Sequence, residues 1–161
     1  MKQKFKVLLL ILISVVLGCG EQTKEPAPVP PEPEPGLPFT VYSFVEGSSA
    51  RWVNLYYYEQ GYKSKLLVIN SDEELKKYVE GDYPPVDFTK KTLLLASGAA
   101  PNNISNKIDQ SLQQLLESEY KWSIEIYLGI ADIVQDWQVA ILIDKLSAEN
   151  KIELYVTFNH Y

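Results

Sequence analysis

The sequence predicts an α+β domain: a largely antiparallel β-sheet of about seven or eight strands, with one helix over residues 71–80. Three observations carry this. Apolar residues recur with a period of two through most of residues 39–161, the spacing that sends alternate side chains to opposite faces of a strand. All eleven tyrosines and all three tryptophans lie in that stretch, and aromatic and β-branched residues suit a pleated, half-buried surface. One segment departs to helical spacing behind a capping sequence. At 123 residues, the stretch has an ordinary size for a single domain.

Taken in order, Phe39 to Val45 reads as a strand, Gly47-Ser48-Ser49 as a turn and Arg51 to Tyr58 as a second strand, so the pair predicts a hairpin. Trp52, Asn54, Tyr56 and Tyr58 would share one face of it, and Val53, Leu55 and Tyr57 the other. Gly61 ends this element and Lys65 to Ile69 forms a short third strand. Ser71 followed by Glu74 is a capping box, and Leu75, Tyr78 and Val79 supply the apolar stripe of a helix that Gly81 stops. Tyr83-Pro84-Pro85 is a stiff connector. Thr92 to Ala96 is continuously apolar, as in a strand buried on both faces, and Gly98 to Asn103 reads as a loop. Residues 104–116 fit either a helical face or a strand, because Ile104, Ile108, Leu112 and Leu116 satisfy both spacings. Tyr120 to Leu128, Trp137 to Asp144 and Ile152 to Phe158 read as three closing strands of one antiparallel sheet, the last two joined by a hairpin-like turn over Ser147 to Asn150.

The amino terminus follows other rules. Lys2, Lys4 and Lys6 precede an apolar run, Val7 to Leu17, interrupted only by Ser14. A basic region before a short apolar one is the pattern of a secretory signal peptide. Eleven residues are too few to cross a bilayer, which takes roughly 20. The run ends Val16-Leu17-Gly18-Cys19. This resembles the lipobox of bacterial lipoproteins, in which cleavage falls before the cysteine. The resemblance implies residues 1–18 as signal peptide, a lipid on the sulfur of Cys19 and an exported, lipid-anchored protein of the cell envelope, with the outer membrane favoured. Cys19 is the only cysteine, so no internal disulfide can form. Acyl chains contribute about 0.8 kcal/mol per buried CH₂, so several together would hold the protein on its bilayer.

Residues 19–38 would then be the lipidated cysteine and a tether. Seven prolines fall between Pro26 and Pro38 and exclude helix and central strand. A polyproline II segment rises about 3.1 Å per residue, so this one spans up to roughly 60 Å. Removing residues 1–18 takes away Lys2, Lys4 and Lys6 and moves the net charge from −6 to −9. Arg51 is the only arginine and the remaining lysines are scattered, whereas nucleic-acid binding needs clustered cations. That function class is excluded.

A second resemblance concerns the domain itself. Leu67-Val68-Ile69-Asn70-Ser71-Asp72-Glu73-Glu74-Leu75, then Val86-Asp87-Phe88, then Leu93-Leu94-Leu95-Ala96-Ser97-Gly98 form a strand, a capped helix, an Asp-Phe turn and an apolar strand ending in glycine. The arrangement is similar to the carboxy-terminal domain of the PrcB family, linked to a spirochaete surface protease complex, and to lipoproteins of Bacteroidetes. It covers residues 65–98. Ala99-Ala100-Pro101-Asn102-Asn103 stands where that family carries a glycine-rich segment. The resemblance implies a shared fold and a role beside a protease complex.

Chemistry is sparse. His160 is the only histidine and lies one residue from the chain end, so neither a zinc site nor a Ser-His-Asp triad can be assembled around it. No phosphate-cradling glycine motif occurs. Glu125 and Glu153 alternate with apolar neighbours, as on a solvated strand face, and Asp132 with Asp136 lacks the ligand density of a calcium loop. No cofactor, metal or catalytic centre is expected. Trp52, Tyr56 and Tyr58 are the candidate partner-binding residues, since aromatics on one strand face stack on sugars or anchor protein partners. The edge strand of the first hairpin offers a further docking point. The expected function is a membrane-anchored, non-catalytic module binding an envelope protein or glycan. The alternative is an envelope hydrolase using a carboxylate pair.

Overall fold

The computed structural model describes residues 36–55 and 63–160. Cys19, Tyr56, Tyr58 and the Pro-rich segment as far as Pro35 lie outside the described residues. What is described is mostly antiparallel β-sheet with very little helix. The elements are β1 (Thr40–Val41), β2 (Arg51–Trp52), β3 (Lys65–Ile69), α1 (Asp72–Leu75), β4 (Val79–Glu80), β5 (Lys91–Ala100), β6 (Ile104–Leu116), β7 (Glu119–Leu128), β8 (Gln135–Asp144) and β9 (Lys151–His160).

These strands make two main sheets and a small ribbon. The first sheet runs β1-β8-β5-β3 and is antiparallel throughout. The second runs β6-β7-β9, and the ribbon pairs β2 with β4. β5 is central, and its alternation explains the unbroken apolar run in the sequence. Leu94, Ala96 and Ala100 face the second sheet, while Leu93 and Leu95 face the opposite side. Every residue from Thr92 to Ala100 is buried. Between the sheets, Trp122, Ile124, Ile126 and Leu128 of β7 meet Trp137, Ile141 and Ile143 of β8. On the far side, Leu75, Val79, Tyr42, Trp52 and Phe88 cover Leu93, Leu95 and Ala140. Each fully buried aliphatic side chain contributes about 1.5–3 kcal/mol, so a strand buried on both faces does the most to hold the layers together.

The helix is shorter than the 71–80 predicted. Its start is as expected: the Ser71 hydroxyl accepts from the Glu74 amide at 3.2 Å, and the Glu74 carboxylate accepts from the Asn70 amide at 2.8 Å. A cap of this kind contributes about 1 kcal/mol. After Leu75 the bonds tighten, with Lys77 N donating to Glu74 O and Tyr78 N to Leu75 O, and the chain becomes β4. The ribbon takes the carbonyls that a longer helix would use. Val53 N donates to Tyr78 O at 2.8 Å and Asn54 Nδ2 to Lys77 O at 2.8 Å. Gly81, at φ +84°, completes the change, and a Cβ there would collide with the Ser49 carbonyl.

Three pairings also differ from expectation. Residues 39–45 and 51–58 form no hairpin among the described residues: β1 pairs with β8 and β2 with β4. The Gly47 turn is present, with Ser48 N donating to Val45 O, but Asn54 at φ 54° ends the second strand early. The closing strands do not share one antiparallel sheet. β8 crosses to the first sheet, so β7 and β9 lie parallel, from Glu119↔Lys151 to Leu128↔His160. The Ser147 to Asn150 turn forms, with Asn150 N bonded to Ser147 O, yet it links strands of different sheets. Residues 98–100 continue β5 rather than opening a loop, because the Trp137 ring lies over Gly98 and takes the space of a Cβ, within 3.0–3.2 Å of its ideal place. The segment that fitted both helix and strand is β6, irregular between Ile104 and Ile108.

Candidate functional site

Trp52 leaves the ribbon and lies against the aromatic cluster on the far side of the first sheet. Its ring centroid is 4.8 Å from that of Phe44 and 6.0 Å from that of Tyr42. Tyr42 is buried and donates its hydroxyl to the Pro84 carbonyl at 2.7 Å, and burial pushes its pKa up to about 12. Trp52 itself is only half-buried. Its ring is therefore shared between the core and an open groove of about 410 Å³.

That groove is built from both layers. Phe44, Arg51, Trp52 and Leu55 form one wall, and Ser97 of β5 with Asp136 and Gln138 of β8 form the floor. The floor follows from register: Ser97 pairs with Gln138 and Ala99 with Asp136, on the face that carries Leu95 and Ala140 farther along. Arg51 is not a free cation here. Its Nε and Nη2 both donate to Glu80 Oε2, at 3.1 and 2.7 Å, in an exposed pair that adds little stability. Asp136 makes no hydrogen bond or ion pair among the described residues. The groove thus offers an aromatic wall, a hydroxyl, an amide and an unpaired carboxylate.

Of the candidates read from the sequence, Trp52 lines this groove, while Tyr56 and Tyr58 fall outside the described residues. Phe44, Ser97, Asp136 and Gln138 were not singled out as partner-binding. A signal for them existed: the odd positions of β8, Trp137 to Ile143, are apolar throughout, whereas the even positions turn polar at Asp136 and Gln138. Ser97 marks the same change in β5.

The carboxylates are arranged differently. Asp109 and Glu125 stand directly opposite each other on the outer face of the second sheet, beside a depression of about 140 Å³. Lys107 donates to Asp109 at 2.8 Å and lies 4.0 Å from the Tyr127 ring centroid; the bond to Asp109 holds its ammonium up to about 12. Glu125 accepts from the Tyr127 hydroxyl at 3.3 Å and from Asn159 Nδ2 at 3.4 Å. Glu153 is exposed and accepts from Tyr155. His160 is exposed at the end of β9. Among the described residues no group of three His, Cys, Asp or Glu side chains could hold a metal ion. Within the Asp-Phe turn, Phe88 packs into the far-side cluster, and the Thr89 hydroxyl and amide hold the Asp87 carboxyl below its usual range.

No family model, no curated protein and no solved structure matches this chain.

Proposed function

We propose that the chain is a lipid-anchored lipoprotein of the bacterial envelope, held by Cys19, whose exported domain binds a protein or glycan partner without transforming it. The observation that supports this best is the groove beneath Trp52. An aromatic ring sharing a groove with a hydroxyl, an amide and a carboxylate suits recognition, because stacking and directed hydrogen bonds can act together there. The hydrolase alternative would use Asp109 and Glu125. That pair lies on an open sheet face rather than in a cleft, and each carboxylate already accepts a bond from a neighbour. A general acid needs a desolvated site to keep its proton near neutral pH, so the open face favours binding.

The test replaces Trp52, Tyr56 and Tyr58 together with alanine. The variant should lose retention on envelope peptides and glycans coupled to a resin, while keeping a cooperative thermal transition. Full retention by a folded variant would contradict the assignment. So would loss of the transition, since the aromatics would then be core residues alone.

A further inference from the structure

Among the described residues, the outer edge of β8 is covered along only part of its length. β1 pairs with it at Leu142 and Ile141, and the ladder ends where Tyr42 donates its amide to the Ala140 carbonyl at 2.9 Å. Because Ala140 points to that edge, the two-residue repeat of a strand points the amides and carbonyls of Gln138 and Asp136 there as well. Among the described residues no backbone bond reaches them. Bare strand edges are templates for another chain, and native proteins usually blunt them.

Two grooves flank this bare edge, one on each face of the sheet. The first is the groove beneath Trp52. The second, about 390 Å³, is walled by Ile104, Ser105, Asn106 and Ile108 of β6. Both share Asp136, Trp137 and Gln138, so they meet at the strand itself. A chain added in line with β1 would send successive side chains alternately into one groove and the other.

The loop entering β8 points to the kind of partner. Ile130, Ile133 and Val134 are exposed on it, Ile130 fully. Asn103 braces the loop by accepting from Ala131 N at 2.8 Å and donating its own amide to Ala131 O at 3.1 Å. Exposed aliphatic carbon beside a bare edge suits a protein better than a sugar. The Asp136 carboxylate has no partner among the described residues while Arg51 is already engaged by Glu80, so the edge is complementary to a cation. The chain enters the domain elsewhere: Leu37 N donates to Leu112 O, and Pro38 lies beside Ile143 to Leu146, at the other end of β8.

We propose that the bare edge from Gln135 to Val139 receives an extended peptide segment of a partner protein by strand addition, with a basic side chain beside Asp136 and an aliphatic one against Ile104 and Ile108. Ladder bonds supply affinity in this mode and the two grooves supply sequence preference. The proposal rests on the binding reading above and narrows its partner to a protein.

The experiment pans a phage library of random linear peptides on the full-length protein in detergent. Enriched peptides should carry Lys or Arg adjacent to an aliphatic residue. Asp136→Lys should shift the enrichment toward Asp or Glu and weaken the original peptides by about tenfold or more, the effect of about 1.4 kcal/mol. Gln138→Pro removes an outward amide that β5 does not use, and should abolish binding in a protein that still melts cooperatively. Should that variant fail to fold, the Asp136→Lys shift decides alone. Peptides that bind both variants as they bind the wild type would overturn the proposal. Retention of glycans with no peptide enriched would overturn strand addition and leave the binding reading standing, whereas retention of neither would overturn both. Attachment to anionic lipid vesicles, lost on Ile130→Asp, with no peptide enriched, would replace the peptide with a membrane and also overturn the proposal.

Discussion

Replacing Cys19 with alanine is expected to abolish fatty-acid labelling and to move the protein from the detergent phase to the aqueous phase. The expectation comes from chemistry at one end of the chain. A basic segment, an apolar run too short to span a bilayer and Gly18-Cys19 together resemble a lipoprotein processing site. No helix among the described residues is long and apolar enough to cross a membrane, and the net charge, −6 for the chain and −9 without residues 1–18, disfavours anionic lipid. Removing the sulfur should therefore release the protein from detergent, because each acyl CH₂ would contribute about 0.8 kcal/mol to holding it there. A Cys19→Ala protein that partitions into detergent as the wild type does would contradict the anchor.

Trp122→Ala is expected to cost about 3–5 kcal/mol of folding stability, the largest loss for a single core residue here. Trp122 is fully buried where β7 meets the first sheet, and the cavity left by its ring would open between the two layers. A domain of this size holds about 5–15 kcal/mol in total, so such a loss brings much of the population close to unfolding. Trp122→Phe should cost distinctly less. It keeps most of the ring and removes an indole N–H that has no partner among the described residues. Urea titrations of the three proteins would read both effects as midpoint shifts. An alanine variant losing less than about 1 kcal/mol would mean that the ring does not fill the inter-sheet core.

Much of the fold was legible, and the gaps have physical causes. Period two marks β7, β8 and β9 because alternate residues of each are the more covered ones, and a continuous apolar run marks β5, whose double burial is readable from Thr92 to Ala96. Pairing was not readable. Alternation reports which side of a strand is covered but not by which sheet, so β8 could be placed beside β7 and β9 although it crosses to the other layer. The helix was overextended for a related reason. Leu75, Tyr78 and Val79 satisfy helical spacing equally well as one turn followed by a strand, and the partner that decides is Val53, some 25 residues earlier. Of the candidate site, Trp52 was found because aromatics are conspicuous in a sequence. Asp136 reads in the sequence only as a loop carboxylate, since its place in the Trp52 groove depends on the register between β5 and β8.

Binding without turnover would leave the partner chemically unchanged, so the fate of the partner decides it. The full-length protein would be incubated with envelope peptides and glycan fragments, and both the retained and the free material weighed by mass spectrometry. Material should be retained through Trp52 and recovered with its mass unchanged. A new product, formed in proportion to protein and lost on Asp109→Asn or Glu125→Gln, would contradict it and establish the outer face of the second sheet as an active site.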